Sequence, residues 1–146
     1  MKMIKEMNFD VDGTFCGLYN VDGWLEDIIN HNERPYVEAK PIVNMNWFAR
    51  TIHELQADGW KINIISWLAK NSDDDYDERV RVAKLDWFKR HLPSVEFDDI
   101  KIVKYGTCKG TLGQGILFDD EEQNRREWNG LALDEKDLIK KMRAFL

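Results

Sequence analysis

The sequence is poor in cysteine and has no long apolar run. Its two cysteines, Cys16 and Cys108, lie far apart and form no CxxC pair, which argues against a disulfide scaffold or a zinc site. The apolar runs stay well below the ~20 residues that a membrane-spanning helix needs. Residues 1–6 also lack the apolar core of a signal peptide. We therefore expect a cytoplasmic protein with reduced thiols and no membrane partner.

The sequence also lacks an excess of basic residues. Its 21 lysines and arginines are outnumbered by 27 aspartates and glutamates, which gives a net charge of −6 at pH 7. Because an extended nucleic-acid interface needs a basic face, we expect no such partner. The charge still permits a small anionic ligand, provided that its pocket is locally positive.

What the sequence does contain is a regular alternation of apolar and amphipathic segments. A length of 146 residues and a hydrophobic fraction of 43% are enough for one domain with a core, so we predict a single domain over 1–146. Apolar runs predict strands, and stretches with a helical period predict helices. The predicted strands are 4–10, 60–66, 100–105, 115–119 and 131–133. Three of the predicted helices are 42–58, 121–129 and 134–146. A fourth, between the second and third predicted strands, is capped by Ser72 or Asp73 and ends before Pro93.

This alternation favours a mostly parallel sheet with helices on both faces. We therefore predict an α/β fold, namely a doubly wound, Rossmann-like, three-layer α/β/α arrangement. Glycines and prolines interrupt the segment between Gly13 and Pro41, and we predict an irregular flap or minimal cap over about 15–41. This segment of 27 residues is too short for a large cap domain.

A polar cluster follows each of the first four predicted strands. The clusters are DVDGT at 10–14, Ser66 with Trp67, residues 106–109, and Asp119 with Asp120. Because ligands of doubly wound sheets bind at the carboxyl ends of the strands, we expect these clusters to meet at one edge. Carboxylates gathered there repel one another, and Mg²⁺ prefers such hard oxygen ligands. We predict a magnesium site that involves Asp10, Asp12, Asp119 and Asp120.

The same edge contains the groups of a phosphate site. Lys109 offers a positive charge, Ser66 a hydroxyl, and Gly13 a sharp turn that would expose backbone N–H groups to an anion. Asp10 and Asp12 are two residues apart, so on a strand they point to the same side, roughly 6.5–7 Å apart. This spacing suits covalent catalysis in which Asp10 attacks phosphorus and Asp12 protonates the leaving group and then activates water.

The ordered set of DVDGT, Ser66, Lys109 and the Asp119–Asp120 pair resembles the four motifs of the haloacid dehalogenase (HAD) superfamily. The resemblance covers nearly the whole chain. It implies a three-layer α/β/α fold and Mg²⁺-dependent phosphoryl transfer. It also implies these roles: Asp10 as nucleophile, Asp12 as acid/base and as metal ligand through its backbone carbonyl, Ser66 and Lys109 as phosphate contacts, Asp119 as metal ligand, and Asp120 as a ligand through water or a supporting group.

The choice of the phosphate-binding lysine follows from the same resemblance. Lys70 and Lys104 also lie near predicted strand ends. We select Lys109 because the segments YGTCKGT and GILFDD are similar to the stretch that leads into the last motif of deoxyribonucleotidase-like HAD enzymes.

The predicted substrate is a small phosphorylated molecule. A phosphatase with little or no cap cannot enclose such a substrate alone, so a covering homodimer is a further prediction. Trp67 lies beside the phosphate site and the flap adds Phe15, Tyr19 and Trp24, which are able to stack on a base. We therefore predict a nucleotidase for (deoxy)nucleoside monophosphates, with these substrate contacts: Gly13, Thr14, Phe15 and Trp67.

Other functions stay open on the sequence alone. A sugar phosphate or a nucleic-acid end would undergo the same chemistry. A phosphate-receiving signalling domain also combines acids, a lysine and Mg²⁺, but its phosphorylated aspartate comes later in the chain and its lysine comes last. Here Asp10 and Asp12 come first and Lys109 precedes the final acids, an order that favours HAD chemistry. No feature of the sequence supports a non-catalytic phosphate-binding module.

Overall fold

A parallel sheet of five strands forms the centre of the molecule in our computed structural model, which describes residues 4–146. The strands are β1 (Glu6–Phe9), β2 (Lys61–Trp67), β3 (Asp99–Val103), β4 (Ile116–Phe118) and β5 (Ala132–Leu133). Their order is β3-β2-β1-β4-β5, and each neighbouring pair is parallel. All five predicted strands are confirmed, with ends that differ by at most two residues. The first three residues of the predicted 1–146 domain lie outside the described part.

Six α-helices flank the sheet within residues 4–146. They are α1 (Trp24–Ile29), α2 (Arg34–Glu38), α3 (Met45–Ala57), α4 (Asp74–His91), α5 (Glu122–Glu127) and α6 (Glu135–Lys141). The four predicted helices correspond to α3, α4, α5 and α6, and a 3₁₀ turn at Met142–Phe145 completes the last of them. Among residues 4–146, no helix combines the length and the apolar character that a membrane crossing requires.

The two faces of the sheet pack against different layers. Phe9 and Ile64 belong to a buried cluster with apolar side chains of α3, α4 and α6. On the opposite face, Ile65 and Leu117 pack against Trp128, which directly follows α5. Because successive side chains of a strand alternate between faces, this arrangement buries both sides of the sheet. The predicted three-layer α/β/α fold is confirmed.

Side-chain caps fix the start of the two long helices. The side chain of Asn44 accepts a hydrogen bond from the N–H of Trp47 at 3.0 Å and caps α3. The Asp73 carboxylate accepts one from the N–H of Tyr76 at 2.8 Å and caps α4. Such a cap satisfies a backbone donor that the helix itself leaves free. Of the two predicted caps for α4, Ser72 and Asp73, Asp73 therefore has this role.

The prediction of an irregular segment over about 15–41 was wrong in part, because the segment contains α1, α2 and a 3₁₀ turn at Leu18–Asn20. Gly23 precedes α1 with φ +76°, and Pro35 lies in the first turn of α2. Gly23 and Pro35 therefore lie at the starts of helices and do not interrupt regular structure. Proline is tolerated in the first helical turn. The flap rests on α4, where Leu18 and Tyr36 join its buried side chains.

The strand order places a crevice between β1 and β4. The chain proceeds from β1 outward through β2 and β3, and then returns to β4 on the other side of β1. This is the point at which the connections diverge, and ligands of open α/β sheets bind outside the carboxyl ends of the strands there. The residues after β1 and β4 therefore occupy the expected position of a ligand site.

Candidate active site

Three carboxylates from the ends of β1 and β4 converge in the crevice. Asp10 follows β1, and Asp119 and Asp120 follow β4. Each offers one oxygen atom, and these oxygens all lie within 4.8 Å of one another. Asp10 and Asp119 are buried, so the cluster is built into the fold and is not part of an acidic surface. This spacing suits a divalent cation held by oxygen ligands.

A buried lysine bridges two of these acids. The Lys109 side chain is 1% exposed, and its Nζ donates hydrogen bonds of 2.8 Å to Asp10 Oδ1 and to Asp119 Oδ2. Of the three lysines considered from the sequence, Lys109 is the one that contacts these acids. Lys70 lies at the cavity wall with its Nζ 5.9 Å from the Tyr105 ring centroid, and Lys104 is exposed. A phosphate contact by Lys109 stays a prediction.

The turn after β1 packs directly against the acids. Thr14 Oγ1 donates to Asp10 Oδ2 at 3.0 Å and accepts the N–H of Asp120 at 3.2 Å. Gly13 has φ +84°, and a Cβ there would lie 2.3 Å from Asp120 Oδ2, so only glycine fits. The N–H groups of Gly13 and Thr14 donate to the carbonyls of Cys16 and Val11. Those two N–H groups are therefore not free for an anion, and an anion contact by the remaining N–H groups of the turn stays a prediction.

Asp12 and Ser66 lie apart from the carboxylate cluster and share a different lysine. Lys84 Nζ donates to Asp12 Oδ2 at 2.6 Å and to Ser66 Oγ at 2.8 Å. The Asp12 carboxylate does not belong to the group of acids that could hold a metal. Its predicted role as a metal ligand used the backbone carbonyl and stays a prediction. Ser66 lies at the end of β2 and is fully buried.

Sequence reasoning missed Lys84 and Asn124. Lys84 lies on α4 four residues after Val80 and three before Trp87, both buried. A lysine on the buried stripe of a helix was the available signal.

Asn124 on α5 is 3% exposed, and its Nδ2 donates to Asp119 Oδ2 at 3.1 Å. Its Oδ1 is buried without a hydrogen-bond partner in the described part of the chain. Its position within one turn of Asp120 was the only hint in the sequence.

The charges in the site are out of balance. The four acids at this edge face only two buried lysines, Lys84 and Lys109. Burial alone would raise the pKa of Asp10, but Lys109, a hydrogen bond with Asp120 and the charge of Lys84 together outweigh it and hold that pKa below its usual value. Burial and the charge of Asp10 raise the pKa of Asp119 to about 6. Burial, a hydrogen bond with Asp10 and the charges of both neighbours raise the pKa of Asp120 to about 9. A divalent cation would supply the missing positive charge.

A cavity of about 390 Å³ opens above the acids. Asp10, Asp12 and Lys109 line its floor, and Glu121 and Asn124 line one side. The remaining walls are mostly apolar and aromatic, and come partly from the flap; they include Leu18, Tyr19, Trp24, Leu25, Ile28, Tyr36, Trp67, Leu68, Ala69 and Tyr105. A charged floor under apolar walls is typical of a site that binds a ligand with one anionic end.

Three of the four aromatic side chains proposed for substrate stacking line this cavity. These three are Trp67, Tyr19 and Trp24. Trp67 donates from Nε1 to the Thr107 carbonyl at 2.8 Å, which fixes its ring. The rings of Tyr19 and Trp24 pack edge-on, with their centroids 4.9 Å apart. Phe15 does not line it. The Phe15 side chain is 0% exposed and packs among other core aromatic rings, because the turn at Gly13 directs it inward. The predicted substrate contact by Phe15 is therefore contradicted.

Comparison of the chain with protein-family models and with curated proteins finds no match. A function for this chain is therefore inferred from the site itself.

The raised pKa values predict that the metal-free protein becomes less stable as the pH rises. Asp119 and Asp120 hold protons in the folded state that the unfolded chain releases near pH 4. Between pH 5 and 9 the folded state therefore binds more protons than the unfolded state, and the free energy of unfolding falls with pH. We expect the Tm in EDTA to fall by several degrees over this range, at about 2–4 °C per kcal/mol for a chain of this size.

Asp120→Asn removes the group with the most strongly raised pKa, so its Tm should depend less on pH than that of the wild type. Mg²⁺ should raise the wild-type Tm more at pH 9 than at pH 5, because the cation competes with protons for the same oxygens. The exposed acid Glu127 on α5 provides the matched control, Glu127→Gln. A wild-type Tm that stays constant or rises between pH 5 and 9 in EDTA would contradict this prediction.

Proposed function

We propose that this chain is a HAD-type, Mg²⁺-dependent phosphomonoester hydrolase that acts through an aspartyl-phosphate on Asp10. One observation carries the proposal: a buried carboxylate, Asp10, is kept ionised by Lys109 at the carboxyl end of the central strand, beside two further carboxylates. An ionised carboxylate in a cavity, next to groups that bind phosphoryl oxygens, is suited to nucleophilic attack on phosphorus.

The contacts of Asp10 suit it to the role of nucleophile. Lys109 donates to its Oδ1 and Thr14 to its Oδ2, so the carboxylate is held in one orientation facing the cavity. In the first step a carboxylate oxygen of Asp10 bonds to phosphorus, and the bond from phosphorus to the leaving oxygen breaks. Lys109 then lies within reach of the phosphoryl oxygens, whose charge it stabilises.

Asp12 is the proposed acid and base. Burial raises its pKa, so it can hold the proton that the leaving oxygen needs in the first step. In the second step the ionised Asp12 takes a proton from water, whose oxygen attacks phosphorus. The bond between phosphorus and Asp10 breaks, inorganic phosphate leaves, and both aspartates return to their starting states.

The carboxylates of Asp10, Asp119 and Asp120 would hold the Mg²⁺. Their oxygens lie close enough for a shared ion, and Asp120 lacks a lysine partner among the described residues. When bound, the cation neutralises charge on the transferring phosphoryl group. Glu121 donates its N–H to Asp119 Oδ1, and Asn124 donates to Oδ2, so the orientation of Asp119 is fixed from two sides.

The cavity walls support a substrate with a flat, weakly polar leaving group. The rings of Trp67 and Tyr105 lie 4.9 Å apart in the lining, and flap residues such as Trp24 also line the cavity. A sugar phosphate would leave its hydroxyl groups against these apolar walls without hydrogen bonds, whereas a nucleobase can stack there. We therefore propose (deoxy)nucleoside monophosphates as the substrates. A cytoplasmic location and a homodimer stay predictions of the sequence.

Release of inorganic phosphate tests the proposed function. Purified protein is supplied with nucleoside monophosphates, sugar phosphates, a phosphopeptide and an aryl phosphate, each in Mg²⁺ and in EDTA. We expect repeated turnover in Mg²⁺, with preference for nucleoside monophosphates, and loss of turnover in EDTA. Absence of turnover with every ester would contradict the proposal, and a single phosphorylation without release would instead indicate a receiver-like module.

Trp67 provides a test of the proposed nucleotide specificity. Since base–aromatic stacking contributes roughly 1–3 kcal/mol, Trp67→Ala should lower kcat/KM for a nucleoside monophosphate by about 5- to 150-fold. The loss should be much smaller for acetyl phosphate, which has no ring. Trp67→Phe keeps a ring and should retain most of the nucleotide preference. Equal losses on both substrates would mean that Trp67 only supports the fold, through its contacts with Thr107 and Lys109.

A further inference from the structure

Lys84 is a buried lysine that the two steps above do not use. It is 3% exposed on α4, and its Nζ lies 2.6 Å from Asp12 Oδ2, 2.8 Å from Ser66 Oγ and 5.1 Å from the centroid of the Tyr36 ring. Burying an ammonium group is costly unless its partners are well placed. The neighbouring stripe positions on α4 carry apolar residues, so packing alone does not explain a lysine there.

The contact with Asp12 leaves one carboxylate oxygen free. Lys84 holds Oδ2, while Oδ1 receives no hydrogen bond from any residue of the described chain. Asp12 lines the cavity and its side chain is 13% exposed. The ammonium group therefore fixes the orientation of the carboxylate and leaves Oδ1 as the oxygen available to a leaving group.

The second hydrogen bond of the Lys84 ammonium group goes to Ser66. An ammonium group has only donors, so Ser66 Oγ must accept from Lys84. The hydroxyl proton of Ser66 is then left to donate elsewhere, and residues 4–146 provide no acceptor for it in the structure. Ser66 is fully buried and does not line the cavity, so this contact anchors the ammonium group inside the protein at the end of β2.

We propose that Lys84 is a positioning residue, which holds the Asp12 carboxylate towards the leaving group and is itself anchored by Ser66. This inference rests on the proposed function. Lys84 differs in its task from Lys109, which contacts the nucleophile Asp10 and the metal-site residue Asp119. Lys84 acts on the proton donor Asp12. Loss of Lys84 should therefore lower kcat/KM most for esters whose leaving oxygen must be protonated.

The test is the dependence of kcat/KM on the leaving group in Lys84→Met. For nucleoside monophosphates, whose leaving oxygen must be protonated, we expect kcat/KM to fall by about 10²–10⁴-fold, the usual contribution of a general acid. For 4-nitrophenyl phosphate, whose leaving group departs as a stable anion, the loss in kcat/KM should be about tenfold or less. With that ester a burst of nitrophenol should precede slow turnover, since Asp12 must still activate water.

A double-mutant cycle shows whether Lys84 acts through Asp12. Lys84→Met combined with Asp12→Asn should be little worse than Asp12→Asn alone on nucleoside monophosphates. Lys89→Met places the same substitution at an exposed site of α4 and should leave kcat/KM unchanged for every ester. If Lys84→Met fails to fold, Lys84→Gln keeps a donor to Asp12 without the charge and serves for the same measurement.

The possible outcomes separate this inference from the function on which it rests. A uniform loss across all leaving groups, or losses that multiply in the double mutant, would overturn the role of Lys84 while wild-type turnover upholds the proposed function. A wild-type protein that hydrolyses no ester would overturn both.

Discussion

Asp10→Asn should abolish turnover while leaving the fold intact. An amide is not a competent nucleophile towards phosphorus, and loss of a covalent nucleophile typically costs about 10⁴-fold or more in kcat. Asparagine keeps the shape of the side chain and can still accept the Thr14 hydroxyl, while Lys109 retains Asp119 as its charged partner. We therefore expect the far-UV spectrum to be unchanged and the metal-free Tm to shift by only a few degrees.

The measurement is phosphate release from the best substrate found in the screen, together with intact-protein mass spectrometry after acid quench. The wild type should show a population heavier by one phosphoryl group, and Asp10→Asn should show none. Asp86→Asn replaces an exposed acid on α4 and should keep full turnover. If Asp10→Asn retains more than a tenth of the wild-type kcat, the aspartyl-phosphate mechanism is wrong for every substrate.

The position of the carboxylate cluster could be predicted because it depends on regular structure. The apolar runs identify β1 and β4, and parallel strands end at one edge, so Asp10, Asp119 and Asp120 had to come close. The resemblance predicts Lys109 for this site, and its Nζ lies between two of these acids in the structure. Features tied to strand ends thus followed from pattern and topology.

The features that sequence reasoning missed depend on tertiary packing. Lys84 reaches Asp12 only because of how α4 crosses the end of β2, and a helical period alone contains no information on that crossing. Helices as short as α1 and α2 are marginal without tertiary contacts, which here come from α4. Phe15 lies close to the acids in sequence, yet the backbone turn at Gly13 directs it into the core.

The dependence on tertiary packing also explains why Lys109 could be predicted from the sequence and Lys84 could not. Lys109 begins a short 3₁₀ turn in the connection after β3, at the ligand edge, where a functional lysine is expected. Lys84 lies in the middle of a helix, where a lysine is expected to face solvent. Its burial on that helix is therefore the more informative observation, because it has no explanation in local structure.

Lys109→Met should destabilise the metal-free protein and abolish activity together. Removal of the ammonium group leaves Asp10 and Asp119 buried without their shared counter-charge, and breaking a buried ion pair in this way costs about 3–5 kcal/mol. We expect the Tm to fall by about 6–20 °C at pH 7, at about 2–4 °C per kcal/mol. Turnover should fall below detection, because charge on the phosphoryl group is no longer stabilised.

The loss of stability should shrink as the pH falls. Without Lys109 the pKa values of Asp10 and Asp119 both rise, so the folded variant takes up protons on lowering the pH and regains stability relative to the wild type. Thermal unfolding in EDTA at pH 5 and pH 8 measures this difference. Lys104→Met removes an exposed lysine near the same strand end and should change the free energy of unfolding by less than about 0.5 kcal/mol. A Lys109→Met protein as stable as Lys104→Met at pH 8 would show that Lys109 is not the counter-charge of this site.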